Sequence, residues 1–174
     1  MCKFIEVDLN TPHNLFSILH HIPNIQNCYR KYYKYLQDDF AEYEEDILSY
    51  ISHCSPYFWI VLDYDDTFMG FIAMDNFVGR QQNLYSGEIS VCLEKRAWGS
   101  FCRYGAKIFL KKCFDELGLY KIKAQIFPDN FRVKSILKTS GFEYESTLKA
   151  ETLRQGVPQD IEVYSLYRNY YYAR

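Results

Sequence analysis

The sequence lacks an excess of positive charge, a long apolar run and a recognisable signal peptide. Its 174 residues carry 20 Lys and Arg against 22 Asp and Glu, a formal net charge of −2. No basic field favours a nucleic acid or an anionic membrane, so we expect neither as a partner. No apolar stretch approaches the roughly 20 residues of a membrane span. We therefore expect a cytoplasmic protein.

Cysteine and histidine also lack the spacing of a metal site or of a disulfide framework. There is no C-x-x-C pair, and the four histidines all precede residue 54. We therefore predict buried free thiols in a reducing compartment, and we expect no structural metal. The cysteines are at positions 2, 28, 54, 92, 102 and 113.

The length and the aromatic content describe the kind of core that the chain can build. A chain of 174 residues suits one domain over residues 1–174, which buries roughly 70% of the unfolded surface. Aromatic residues make up 18% of the sequence, with 17 Tyr and 13 Phe. This content predicts an aromatic-rich core, or alternatively wide aromatic walls around a pocket.

In the first half of the chain, hydrophobic periodicity predicts helices followed by strands. Pro12 is typical of a first helical turn, and Pro23 is expected to end that helix after about residue 21. Apolar residues at three-four spacing predict a helix over 29–51. The polar side of this helix carries basic residues first and acidic residues from Asp38 to Asp46. This pattern indicates either a solvated face or an acidic rim that attracts an amine. Strands are predicted at 4–7, 57–62, 68–74 and 88–94, with a loop at 79–83.

The second half alternates helix and strand. A helix is predicted from about Gly99 to Leu117, with Ala106, Leu110 and Cys113 on its apolar stripe. A second helix begins at a cap formed by Asp129 or Asn130. Strands are predicted at 120–127, 143–152 and 161–167, and the aromatic end at 170–172 either packs or frays. The order predicts an α/β fold around one mixed sheet.

The most informative segment runs from Gly99 to Phe142, where a turn feeds a helix. The first N–H groups of a helix lack backbone partners, and the helix dipole favours an anion beside them. We therefore expect a phosphorylated cofactor on the backbone of residues 99–104. The alternative is an ordinary strand-to-helix turn.

Two further features identify the family that this segment resembles. The second helix begins at Asn130 and ends eleven residues later at Gly141-Phe142, and the tail from Gly156 to Arg168 reads GVPQDIEVYSLYR. This pattern resembles the GNAT N-acetyltransferase superfamily, in particular the ribosomal-protein alanine acetyltransferases and their polyamine and antibiotic relatives. The resemblance extends from about Phe58 to Arg168. It implies a GNAT-type mixed, mostly antiparallel sheet flanked by helices, with acetyl-CoA as the cofactor.

The resemblance also implies where the cofactor binds. The family motif Gln/Arg-x-x-Gly-x-Gly/Ala aligns with 97–102, which puts Ser100 and Cys102 at its two small positions. One residue earlier, Arg96 and Gly99 match, but Phe101 fills the last small position. The implied cofactor-binding residues are Val91, Cys92, Leu93, Trp98, Gly99, Ser100, Phe101, Cys102, Arg103 and Asn130.

Three positions in the second helix bear on the chemistry. Asn130 has two interpretations, a contact with the pantetheine arm as the family implies or a helix cap. The serine that relatives carry three residues later is Val133 here. The tyrosine that many relatives use as a general acid is Leu137, so the resemblance implies no acid at that position.

Glu88 is the candidate general base, because it begins the strand along which the family places the pantetheine arm. The segment Glu88-Ile89-Ser90 resembles Glu-Ile-Gly in the branch; the alternative is a carboxylate in a surface ion pair. The N–H groups of 91–93 would polarise the thioester carbonyl oxygen. No histidine is near Cys92 in sequence, so we interpret Cys92 as a packing thiol and not as a nucleophile.

These features predict an acetyl-CoA-dependent N-acetyltransferase that passes acetyl directly to a primary amine. The acceptor is a small molecule or a peptide: a protein N-terminus, a polyamine, an aminoglycoside or an amino sugar. The alternative is a non-catalytic acyl-CoA-binding or interaction protein on the same fold, which the departures at Ser100, Cys102, Val133 and Leu137 favour. Both a monomer and a homodimer are compatible with the sequence.

Overall fold

A computed structural model of the protein describes residues 2–8, 18–32, 47–80 and 83–173. Within these ranges, seven strands form one sheet in the order β1-β2-β3-β4-β5-β7-β6. Strands β4 and β5 pair in parallel, whereas β1–β2, β2–β3, β5–β7 and β6–β7 pair antiparallel. The predicted α/β fold with a mixed, mostly antiparallel sheet is confirmed. The strands are β1 Lys3–Glu6, β2 Phe58–Leu62, β3 Phe68–Arg80, β4 Asn83–Leu93, β5 Lys121–Ile126, β6 Glu143–Arg154 and β7 Val157–Tyr167.

Helices connect these strands. A short 3₁₀ helix, Lys95–Ala97, follows β4. The α-helices of the described ranges are α1 Ile22–Tyr32, α2 Ile47–Cys54, α3 Ser100–Asp115, α4 Phe131–Ser140 and α5 Arg168–Tyr172. None of the helices in the described ranges is long and apolar enough to cross a membrane.

The second N-terminal helix begins at another residue than predicted. The helix before Pro23 ends at Leu19 and a turn follows at 20–21, so that helix ends near residue 21, as predicted. Pro23 itself lies in the first turn of α1, where its missing N–H has no acceptor to lose. The prediction of a helix that begins at residue 29 is wrong, since α1 already begins at Ile22. Residues 9–17 and 33–46, on which the first helix and most of the predicted acidic face fall, lie outside the described residues.

Three strand boundaries also differ from the prediction. Strand β3 continues to Arg80 and β4 begins at Asn83, so the predicted loop at 79–83 is wrong apart from residues 81–82, which are not described. Strand β7 begins at Val157 and pairs with Arg154 of β6. The added parts of β3 and β7 are largely exposed, so they show little apolar alternation. The added part of β4 buries Ser86 and Gly87, which provide no apolar side chain to mark a strand.

Two compact units divide the chain, and β3, β4 and α3 each contribute to both. The first unit combines Met1–Met74 with Ser90–Cys102. Its core packs α1 and α2 on the first strands, with the rings of Tyr29, Tyr50, Phe58 and Phe71 in contact in tilted, edge-on and stacked pairs. The predicted aromatic-rich core is thus found here.

The second unit combines Asp75–Ile89 with Arg103–Arg174. Here α3 buries Phe109, Leu110, Cys113 and Phe114, while Ala106 of the predicted stripe is only half-buried. The larger rings thus take the interior positions. The helix ends at Asp115, before the predicted end at Leu117. The aromatic end packs: the ring centroid of Tyr171 lies 5.2 Å from that of Phe114, and its hydroxyl donates to the Lys107 carbonyl at 2.9 Å.

Candidate functional site

The predicted site residues are divided between the two units. The turn and the end of β4 lie in the first unit, whereas the candidate base and the helix-cap asparagine lie in the second. Those of the first unit are Val91, Cys92, Leu93, Trp98, Gly99, Ser100, Phe101 and Cys102; those of the second are Glu88, Arg103 and Asn130.

The segment between β4 and α3 is an open turn. The 3₁₀ helix Lys95–Ala97 ends at Trp98, whose backbone is extended, and Gly99 follows with φ +89°. A Cβ at Gly99 would have no atom within 4 Å, so the backbone there is accessible. The indole N–H of Trp98 donates to the Leu93 carbonyl at 3.3 Å. The turn and the end of β4 are thus held together.

The N-terminus of α3 suits a phosphate group. The helix has 16 residues, its first turn contains no acidic side chain, and Ser100 at its start is exposed. The first four N–H groups of a helix have no acceptor within it, and the helix dipole adds positive potential there. An open glycine backbone leading into such a helix fits the pyrophosphate of coenzyme A.

The end of β4 is fixed from β3 by a close backbone approach. A Cβ built on Gly70 would lie 2.2 Å from the Cys92 carbonyl oxygen and 2.7 Å from the Leu93 Cα. The Glu94 N–H donates to the Met69 carbonyl at 2.9 Å, and Arg96 donates to the Phe68 carbonyl at 2.6 Å. The backbone at 91–93 is therefore held rigidly.

Cys92 packs inside the first unit against helix α1. Its Sγ lies 3.6 Å from that of Cys28, and both side chains are buried. The hydrogen bond with Cys28, followed by burial, raises the pKa of the Cys92 thiol well above its usual range. All six cysteines are free, and five of them are buried. Cys92 is thus a packing thiol, as predicted, since a nucleophile requires a thiolate.

Glu88 lies in a half-buried position on β4. Its carboxylate accepts a hydrogen bond from the Gln125 side-chain amide at 2.9 Å. Burial, and then the negative charge of Asp75, raise the pKa of Glu88. The hydrogen bonds from Gln125 and Asn76 and the charge of Lys123 oppose that change. The structure does not place Glu88 in a surface ion pair, because the side chain that donates to its carboxylate is the neutral amide of Gln125.

Asn130 caps helix α4. Its side-chain oxygen accepts from the Val133 N–H at 3.4 Å, which leaves the two amide protons as possible donors to a ligand. Val133 is partly exposed and Leu137 is buried. Both side chains are apolar, so neither position offers a polar group to the cofactor. The cap and a contact with a cofactor are therefore compatible with each other.

The residues around Glu88 were missed by the sequence reasoning. Alternation over 121–126 marks Lys123 and Gln125 as polar members of a strand that buries Ile122, Ala124 and Ile126. The parallel register, in which Glu88 pairs with Lys123, brings Gln125 to the carboxylate. Register depends on backbone pairing between distant segments, and this sequence carried no signal for it.

The fold and the site define a class of protein. The profile of the acetyltransferase (GNAT) domain matches residues 18–143. No curated protein matches the sequence significantly. The chain belongs to the GNAT acetyltransferase family, and the cofactor of this family is acetyl-CoA.

Solved structures of acetyltransferases share the fold over almost the whole chain. Mutant forms of the spermidine/spermine N-acetyltransferase SpeG from Vibrio cholerae are 17% identical, with a TM-score of 0.74 over 99% of this chain and 97% of that one. The ribosomal-protein-S5-alanine acetyltransferase from Vibrio fischeri is also 17% identical, with a TM-score of 0.72 over 97% and 93%. Spermidine N-acetyltransferase from Vibrio cholerae in complex with CoA and spermine is 18% identical, with a TM-score of 0.69 over 98% of each chain.

Proposed function

We propose that this N-acetyltransferase passes an acetyl group directly from acetyl-CoA to a primary amine while both are bound. The observation that carries the proposal is the open turn at 98–100 between β4 and the N-terminus of α3, in a chain of the GNAT family. We further propose that residues 1–174 form one acetyltransferase domain and that the protein acts in the cytoplasm, which its free cysteines favour.

In this proposal the turn and the end of β4 bind and orient the cofactor. The N–H groups at the start of α3 hold the pyrophosphate, and the small side chains of Ser100 and Cys102 leave space for it. Asn130 donates its amide protons to the pantetheine arm. The N–H groups of 91–93 polarise the carbonyl oxygen in the manner of an oxyanion hole. Acetyl-CoA supplies the activated acetyl group.

Glu88 acts as the general base in this proposal. An amine attacks only when it is neutral, and an ammonium has a pKa near 10 in water, so a proton must be removed. Glu88 would take that proton through a water molecule. The pKa of Glu88 is raised and thus lies closer to neutral pH than that of an exposed glutamate, which makes its carboxylate a stronger base.

A panel of amines tests the function and identifies the acceptor. The panel contains spermidine, spermine, a peptide with an N-terminal alanine, an aminoglycoside and glucosamine, and CoA release is followed with a thiol reagent. Polyamines and an N-terminal alanine come first, because the similar structures include enzymes named for these acceptors. Turnover of one amine supports the proposal. Binding of acetyl-CoA without turnover on any amine would favour a non-catalytic binding protein.

We expect CoA to raise the melting temperature of the protein, because a ligand that binds only the folded state stabilises it. At a CoA concentration 100 times its Kd, the gain is about 2.7 kcal/mol, or a shift of about 5–10 °C for a chain of this size. Differential scanning fluorimetry measures the shift, and calorimetry measures the binding. The absence of binding near millimolar CoA would contradict the assignment of the cofactor site.

We expect Ser100→Trp to abolish detectable CoA binding while the fold is retained. Ser100 is exposed at the start of α3, so an indole there would fill the space over the helix N-terminus without entering the core. Cys102→Trp should have the same effect on binding, although Cys102 is half-buried. The control is Ser49→Trp, an exposed helical serine on α2. Unchanged CoA affinity in both turn variants would show that the phosphates bind elsewhere.

A further inference from the structure

Glu88 is influenced from both strands that neighbour β4 in the sheet. From β5, the side-chain nitrogen of Gln125 donates to Glu88 Oε2 at 2.9 Å. From β3, the side chain of Asn76 opposes the rise in the pKa of the same carboxyl group. All three residues belong to the second compact unit. The hydrogen bond from Gln125 restricts the rotation of the carboxylate.

The backbone of β3 changes at the residue that makes this contact. Asn76 has φ +46°, a conformation in which asparagine is several times more frequent than most other residues. Up to Met74 the strand is fully buried, and from Asp75 onwards it emerges toward solvent. The departure from extended geometry thus coincides with the residue of β3 whose side chain influences Glu88.

Charged groups on the same two strands act in opposite directions on the carboxylate. Asp75, next to Asn76 on β3, disfavours the negative charge of Glu88, and Lys123 on β5 favours it. Lys123 is the partner of Glu88 in the parallel register. The carboxylate therefore accepts from one neutral amide and is acted on by one anion and one cation.

We propose that Gln125 is a positioning residue, which holds the Glu88 carboxylate in the orientation that proton removal requires, and that Asn76 of β3 assists it from the other neighbouring strand. The inference rests on the proposed function of Glu88 as the base. A base that acts through one water molecule depends on a fixed orientation, since a small displacement lengthens the hydrogen bond that carries the proton. The hydrogen bond from Gln125 supplies that orientation.

The test combines variants that should move the pKa of Glu88 in opposite directions. Gln125→Met removes one donor with little change in shape, and Asn76→Gly removes the other while tolerating the positive φ. Both should move the acidic limb of the pH–kcat profile to higher pH and lower kcat about 2- to 10-fold, with the KM for acetyl-CoA unchanged. Asp75→Asn should move the limb to lower pH. The control, Gln159→Met, lies on the exposed β6–β7 hairpin and should change neither.

A second measurement is independent of turnover. The carboxyl carbon of Glu88, assigned by its disappearance in Glu88→Gln, is titrated by NMR in each variant. Opposite changes in its pKa for Gln125→Met and Asp75→Asn, together with the lower kcat of Gln125→Met, support the inference, whereas a normal kcat in Glu88→Gln would overturn both the inference and the proposed base. An identical titration in all the variants would overturn the inference, even if Glu88→Gln is inactive.

Discussion

Glu88→Gln is expected to lower kcat by about 10²-fold or more while leaving the affinity for acetyl-CoA nearly unchanged. The amide keeps the size of the side chain and can still accept from Gln125, but it cannot take a proton. Steady-state kinetics on the acceptor found in the amine panel measure the effect, and the acidic limb of the profile should disappear. A normal kcat would leave a mechanism in which the enzyme only brings the substrates together and bulk water removes the proton.

The stability of the same variant distinguishes a catalytic from a structural glutamate. The pKa of Glu88 is raised in the folded state, so its contribution to stability is present below the unfolded pKa of 4.5 and is lost as the pH rises through the folded pKa. At pH 7, Glu88→Gln should therefore have an equal or higher melting temperature. The control is Glu162→Gln, which loses an ion pair with Lys134 at 2.8 Å and should melt lower.

Gly70→Ala is expected to destabilise the protein by at least about 3 kcal/mol, which is a large part of the stability of a typical domain. The new Cβ would lie 2.2 Å from the backbone carbonyl oxygen of Cys92. A backbone oxygen cannot relieve this clash by a rotamer change, as a side chain can. Gly70 also has φ +143°, which L-residues rarely adopt. The clash displaces the segment 91–93, so CoA affinity should fall together with the melting temperature.

A matched glycine separates the clash from backbone strain. Gly156, on the β6–β7 turn, has φ +73° and no atom within 4 Å of an added Cβ. Gly156→Ala should therefore cost only about 1–2 kcal/mol, the strain of the left-handed conformation. Chemical denaturation measures both free energies of unfolding. Equal losses in the two variants would show that the approach of Gly70 to Cys92 relaxes without cost.

Much of the fold could be predicted from local signals. The periodicity around Leu110 and Cys113 identified α3, and the cap at Asn130 with Gly141 identified α4. The errors fall where the local signal is weak. Pro23 is compatible with a helix when it lies in the first turn, and the exposed ends of β3 and β7 have no apolar face to mark them.

The candidate site could be predicted only in part. The helix N-terminus after Gly99 follows from the sequence, because the turn and the helix are adjacent in the chain. The surroundings of Glu88 do not, since Asn76 and Gln125 are separated from it by 12 and 37 residues. The predicted roles of Glu88, Asn130 and the turn residues stay predictions until the variants above are measured.

The sequence by itself determined the order of the strands and of the main helices from Phe58 onwards, because caps, turns and periodicity act over a few residues. The family followed from the resemblance of the segment Asn130 to Phe142 and of the tail to known acetyltransferases, which the GNAT domain profile confirms. Only the tertiary structure decided which side chains meet: Cys28 with Cys92, Gly70 with the Cys92 carbonyl, and Gln125 with Glu88. Strand register and close backbone approach arise from packing between segments far apart in the chain. That packing also buries Glu88 and raises its pKa, the property on which its proposed role as a base depends.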